Sequence, residues 1–259
     1  ERELNLSRQC MVPLEGKGTA AWWDERLGQL VVYTSTQLPH MMRTGLAECL
    51  GIEEGQLHVV APDVGGAFGF KCILQPEEVC VAWLALKKKR PFRWTEDRRE
   101  HLVAAANTRE HHYRIKAYAA ADGTLLGLEA DVAVDVGAYS VWPFSACLES
   151  AQIASILPGP YRMPFYACRT RSVATNKPPF TPYRGVARTG VCFALELMID
   201  ALAREGGLEP ADVRLRNLVE PHQMPFTNVT GKLFDSGDYP ESLRRAFEIT
   251  ADVYRAAGA

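Results

Sequence analysis

The strongest constraint on the fold is a pair of long alternating runs, HHYRIKAYAA at 111–120 and LLGLEADVAVDVGAYS at 125–140, joined by ADGT. Alternation with a period of two puts successive side chains on opposite faces of a strand, and an Asp-Gly turn brings the chain back beside itself. The later region of the chain therefore has to contain an antiparallel sheet. Upstream the pattern differs. QLVVYTS (29–35) is β-branched and aromatic, HMMRTGLAECLG (40–51) has helical spacing closed by a glycine, and QLHVVAP (56–62) returns to strand composition, so these three predict a βαβ unit.

Further elements follow from local signals. PEEVCVAWLALKKK (76–89) carries a proline and acids early and lysines late, the charge order a helix dipole favours, and PFRWTED (91–97) predicts a strand. After the Pro-rich stretch NKPPFTPYRG (176–185), GVCFALELMIDALARE (190–205) predicts a helix with Phe193, Leu197 and Ala201 on one side. EPADVRLRN (209–217) and SGDYPESLRRAFEITADVY (236–254) predict two more helices, the last with a Ser or Asp cap. The class is α+β, divided into a βαβ-containing region at 1–108 and a region at 109–259 with the antiparallel sheet and C-terminal helices.

With 259 residues, 47% of them hydrophobic, the chain can bury one large core or two modest ones. A net charge of -2 offers no basic field for nucleic acid. No apolar run approaches the ~20 residues that span a bilayer, and the first residues lack a signal-peptide apolar region, so a cytoplasmic protein with no membrane partner is expected. Seven cysteines are scattered and never spaced Cys-x-x-Cys, which predicts reduced core thiols rather than a disulfide framework or a metal site. The chain begins at Glu1 and ends in YRAAGA, within a segment of helical character, as a piece of a larger protein would.

The stretch VVAPDVGGAFGFK (59–71) runs from an apolar strand into a Gly-rich turn. It fits neither Gly-x-Gly-x-x-Gly opening into a helix nor the phosphate loop Gly-x-x-x-x-Gly-Lys-Ser/Thr. Two readings stay open: a tight structural turn, or a strand end whose glycines let backbone N–H groups converge on an anion or polar cofactor. Other features have plain explanations. His111 and His112 point to opposite faces of a strand, cannot chelate one metal and suit a surface or strand-edge role. Glu196 and Asp200, four apart, suit a solvated or salt-bridged helix face better than an acid–base pair. LKKKRPFR (86–93) suits a helix end followed by a strand better than a basic patch, and no Gly-x-Ser-x-Gly or His-Glu-x-x-His motif is present.

Five stretches in order, TSTQLPHMMR (34–43), APDVGGAFGFK (61–71), PYRGVARTGVCFALELMIDALARE (182–205), RLRNL (214–218) and TGKLFDSGDYPESL (230–243), resemble the molybdenum-binding large subunit of the xanthine dehydrogenase, aldehyde oxidase and carbon monoxide dehydrogenase family. The resemblance implies a molybdopterin-binding α+β domain with mixed and antiparallel sheets, and molybdenum held by molybdopterin cytosine dinucleotide. By position, Gln37 resembles the glutamine that hydrogen-bonds a ligand oxygen of the metal. Gly66, Ala67, Phe68 and Gly69 resemble the turn whose main chain lies beside the ligand shell, and Arg184 resembles the arginine of a second cofactor-contacting loop.

The resemblance further implies oxidative hydroxylation of an aldehyde or N-heterocycle with water as oxygen source. The catalytic glutamate of the family lies beyond the end of this chain, so the partners expected are the remainder of the subunit, iron–sulfur and FAD-bearing flavin subunits, and a small-molecule substrate. Alone, the chain should be inactive and should self-associate through apolar surface that the rest normally covers. Gly185 stands where carbon monoxide oxidisers carry a copper-binding cysteine, and Cys72 stands where purine oxidisers carry a glutamate. Ala187 and Thr189 replace the usual residues of the arginine loop, Arg-Gly-x-Gly-x-Pro. That altered loop and the missing glutamate motivate a rival expectation, a non-catalytic scaffold or remnant of the same subunit.

Overall fold

The structure, a computed structural model, describes residues 1–256. Two four-stranded sheets organise it. The first has the order β4-β3-β2-β5, from β2 (Gly18–Asp24), β3 (Gln29–Thr34), β4 (Leu57–Val60) and β5 (Phe92–Thr95). β3 and β4 are parallel and joined through α1 (Pro39–Leu50), which is the expected βαβ unit. α1 starts on Pro39 and stops at Gly51 in the left-handed conformation, as its sequence signals require. α2 (Pro76–Lys88) lies on the same face, its N-terminus closed by a reciprocal Gln75–Glu78 capping box. Leu30, Val32, Met42, Leu46, Leu57 and Ala82 form the core between sheet and helices. The LKKKRPFR segment is the end of α2 running into β5, after which comes the short α3 (Arg98–Ala104).

The second sheet has the order β1-β6-β7-β8, with β1 (Arg2–Gln9), β6 (Thr108–Ala119), β7 (Leu125–Gly137) and β8 (Phe165–Ala174). β6 and β7 are the antiparallel hairpin expected from the alternating runs. β7 and β8 run parallel through α4 (Leu148–Ile156), so the sheet is mixed. Residues 2–9, upstream of the division at 108, pair with β6 and thus sit in the later sheet. α5 (Arg188–Gly206) covers the sheet's inner face, backed by α6 (Pro210–Asn217). Ile115, Val132, Val134, Ile153, Ala194 and Leu195 meet there, all at 2% exposure or less, and each large aliphatic contributes roughly 1.5–3 kcal/mol of apolar burial. α7 (Tyr239–Ala256) is capped by the Asp238 carboxylate, which accepts from the Glu241 N–H. The rest of the segment read as helical, 257–259, lies outside the described residues.

Two expectations, for the histidines and for the cysteines, need correction. On α5, Phe193 and Leu197 are 36% and 38% exposed, and only Ala201 of that trio is buried. The covered face is Val191, Ala194, Leu195, Met198 and Ile199, because the helix presents to the sheet the flank carrying these residues. His111 and His112 do point to opposite faces, but β6 is an interior strand and His111 is fully buried. Its Nε2 lies 3.0 Å from a Glu149 carboxylate oxygen, a polar pair that the core accommodates because each group finds the other. All seven cysteines are free, yet Cys49, Cys80, Cys147 and Cys192 are exposed instead of buried in the core. Glu196 and Asp200 form the expected salt-bridged face, both on Arg214. No helix among the described residues is long and apolar enough to cross a membrane.

Candidate functional site

The Gly-rich segment leaves β4 after Val60 and turns sharply at Phe68 and Gly69, with φ of +54° and +102°. A single helical turn, Phe70–Cys72, then buries Phe70 completely against Met11, Ala105 and Tyr183, with the His101 ring edge-on at 4.7 Å. Lys71 is also fully buried and sends its ammonium to Glu15 Oε1 at 2.7 Å. The second oxygen of Glu15 accepts the Gly65 N–H at 2.9 Å, so one carboxylate ties the start of the turn to its end. Lys71 holds the Glu15 carboxyl below the ordinary carboxylate range.

Lys71 also orients Gln37. Its carbonyl accepts the Gln37 N–H at 3.0 Å and the Thr36 hydroxyl at 3.2 Å. The Gln37 side-chain oxygen accepts the Gly69 N–H at 3.0 Å, which leaves the side-chain NH2 without a partner among the described residues. Gln37 and the turn are therefore one hydrogen-bonded unit.

The second loop closes on the same turn. Arg184 N–H donates to the Phe68 carbonyl at 2.8 Å, and the Tyr183 ring meets Phe68 edge-on at 6.4 Å. A Cβ on Gly69 would overlap the Pro182 carbonyl oxygen, so only glycine permits this approach of the two backbones. Beyond Arg184 the chain passes through Gly185 and Val186, at φ of +89° and +50°, and enters α5. Ala187 is fully buried in a right-handed conformation, which explains why that position needs no glycine. Thr189 accepts a hydrogen bond from Arg109 Nε at 2.5 Å.

The structure thus brings Gln37, Phe68, Gly69 and Arg184 together by direct hydrogen bonds, with Gly66 and Ala67 on the same turn. Gly66, Phe68 and Arg184 are exposed, and the N–H groups of Gly66, Ala67 and Phe68 carry no partner among the described residues. A cluster of free neutral donors beside a free guanidinium suits an anionic, oxygen-rich ligand. The donor set therefore fits a molybdenum cofactor, whose metal ligands are oxygen and sulfur supplied with the cofactor. Among the described residues, no three His, Cys, Asp or Glu side chains converge to hold a metal ion. Glu15, Thr36, Lys71 and Arg109 support this surface and were not found from the sequence, and Thr189, noted there only as a departure in the arginine loop, supports it too.

Known proteins give the same picture. The sequence matches the family described as molybdopterin cofactor-binding domain over residues 1–218. It is 34% identical over 91% of its length to the carbon monoxide dehydrogenase large chain of Hydrogenophaga pseudoflava, and 33% identical over 93% to the nicotine 6-hydroxylase large subunit of Paenarthrobacter nicotinovorans. The chain spans 30% and 31% of those two relatives. Its fold superposes on quinoline 2-oxidoreductase from Pseudomonas putida 86 with a TM-score of 0.92 and 34% identity, over 99% of this chain and 33% of that one. The chain belongs to the molybdopterin cofactor-binding domain family, within the large-subunit class that includes xanthine dehydrogenases, aldehyde oxidoreductases and carbon monoxide dehydrogenases.

Proposed function

We propose that this chain forms one wall of a molybdenum cofactor site in a hydroxylase that oxidises an aldehyde or N-heterocycle. The observation that carries the proposal is the joined surface of Gln37, the 66–69 turn and Arg184, whose side-chain NH2, main-chain N–H groups and guanidinium all stand free among the described residues. When bound, the cofactor supplies the two-electron redox chemistry by which a substrate carbon gains oxygen from water. The protein's contribution is positional and electrostatic. Gln37 would offer its NH2 to the cofactor, its orientation set by Gly69 and Lys71. The N–H groups of Gly66, Ala67 and Phe68 would add donors from the turn that Gln37 holds. Arg184 would supply a positive charge to an anionic portion of the cofactor, which we take to be the cytosine dinucleotide form.

Two relatives are named for nicotine and quinoline, which supports an N-heterocycle, and another for aldehydes. Gly185 in place of a copper-binding cysteine speaks against carbon monoxide. The division at residue 108, amended so that residues 2–9 pair with the later sheet, leaves the 66–69 turn on one side and the Arg184 loop on the other. The catalytic glutamate, the iron–sulfur and flavin partners and a cytoplasmic setting complete the proposal.

The test uses the complete protein carrying this chain, made in a host that synthesises the cofactor. Arg184→Ala should lower molybdenum content about tenfold, the loss of one or two charge-assisted hydrogen bonds. Gln37→Ala should keep more of the metal and lower kcat about a hundredfold, as loss of one aligned donor does elsewhere. Wild-type molybdenum content and turnover in both variants would contradict the assignment, and a wild-type protein that never takes up molybdenum would favour a non-catalytic scaffold.

A further inference from the structure

Arg109 has the most demanding position of any charged side chain among the described residues. It is 1% exposed and heads the largest fully buried side chains. Its backbone and that of Glu110 take consecutive positive φ values, +62° and +80°, at the start of β6. For residues other than glycine, each such conformation costs of order 1–3 kcal/mol and persists only where the surroundings enforce it. Bonds on both sides enforce it here. Glu110 points outward to Arg8 at 2.8 Å and to Lys177. Arg109 points inward, on the side that His111, Tyr113 and Ile115 continue along β6.

The hydrogen bonds of the inward guanidinium fall on the Arg184 loop and on the first turn of α5 that it enters. Nε donates to the Thr189 hydroxyl at 2.5 Å, Nη2 donates to the Arg184 carbonyl at 3.1 Å, and the guanidinium carbon lies 4.8 Å from the centre of the Tyr183 ring. Among the described residues Nη1 has no partner, and neither does one carboxylate oxygen of Glu149, whose other oxygen meets His111. Burial lowers the pKa of Arg109 and attraction to Glu149 raises it, and a guanidinium stays charged through shifts of this kind. A buried charge with one donor unused is a poor way to gain stability alone.

We propose that Arg109 is a positioning residue that fixes the Arg184 loop from behind. It holds residues 183–189 in the shape in which the Arg184 N–H reaches Phe68 while the Arg184 side chain stays free. This goes beyond the cofactor reading of Arg184 and rests on it only for the consequence to cofactor retention. The fork geometry matters as much as the charge, because two nitrogens bond two different points, Thr189 and Arg184, while the guanidinium lies over the Tyr183 ring.

Hydrogen exchange of the complete protein, read by mass spectrometry, tests this. In Arg109→Met, amides of the segment 184–188 should exchange at least about tenfold faster, while protection across β6 and β7 stays at wild type, since local opening is read segment by segment. Arg109→Lys should recover less than half of the lost protection. If Arg109→Met does not fold, Thr189→Val, which removes only the hydroxyl on the loop side, should show the same localised rise by roughly threefold or more. Unchanged exchange at 184–188 in a folded Arg109→Met, or in Thr189→Val where that variant decides, overturns the proposal, as does loss of protection spread evenly over the sheet. Molybdenum content separates the two readings. A loosened loop with undiminished molybdenum leaves Arg109 as the positioning residue and removes Arg184 from the cofactor contacts.

Discussion

Gly69→Ala is expected to destabilise the protein by about 3 kcal/mol or more, a large effect for one methyl group. Two costs combine. At φ +102° an alanine is strained in any surroundings, and its Cβ would sit within overlap distance of the Pro182 oxygen and 2.8 Å from the Pro182 carbonyl carbon. Neither backbone can retreat cheaply. Gly69 N–H is held by Gln37 at 3.0 Å, and Phe68 C=O is held by Arg184 N–H at 2.8 Å. Relief of the overlap therefore means breaking the hydrogen bonds that join the two loops. Gly55→Ala is the control, because a Cβ there meets nothing within 4 Å. It should stay within about 0.5 kcal/mol of wild type. Denaturant midpoints of the two variants check both expectations. Equal midpoints would mean that the loops are not locked together as described.

The second large effect concerns the buried pair Lys17–Glu78, separated by 2.7 Å with both side chains fully buried. Lys17 also donates to the Ile73 carbonyl at 2.6 Å, and Glu78 accepts the Thr34 hydroxyl and the Gln75 N–H. One ion pair thus ties β2 and β3 to the N-terminus of α2 and to the segment that follows the Gly-rich turn. Burial pushes the pKa of Lys17 down and Glu78 pulls it back up, so removing Glu78 strands a charge in the core. Lys17→Met or Glu78→Met alone should cost about 3–5 kcal/mol, and the double variant should cost much less than the two combined. Chemical denaturation of the four proteins closes the cycle. Additive losses would show that the pair does not act as a unit.

How much of this was legible depended on whether the relevant partners are near in sequence. The βαβ unit was readable because strand composition, helical spacing, Pro39 and Gly51 all lie within one short window. The β6–β7 hairpin was readable from alternation on either side of Gly123. β1 carries only Leu4 and Leu6 as apolar anchors, and β8 alternates with Arg169 and Arg171 on its open face, so neither gave a clear apolar pattern. Phe193, Leu197 and Ala201 share a side of α5 as their spacing requires, but which flank meets the sheet is decided by tertiary packing, and it is the one with Val191 and Ala194.

The candidate site divides in the same way. Gln37, the 66–69 turn and Arg184 lie in compact stretches that carry the family resemblance. Glu15 meets Lys71 across 56 positions and Arg109 meets Arg184 across 75, and no local pattern encodes such pairs. A positive φ at Arg109, a residue without glycine's freedom, could not be read from sequence either, because tertiary contacts impose it.

In the proposed site the 66–69 turn, Gln37 and Arg184 face one molybdenum cofactor. An anomalous-scattering map at the molybdenum edge, from crystals of the complete protein with its cofactor, tests it most directly. The account predicts a single molybdenum peak beside Gln37 and the main chain of Phe68 and Gly69, with the cofactor's organic portion reaching Arg184. A molybdenum peak on any other surface, with these two loops facing solvent or protein, would contradict it.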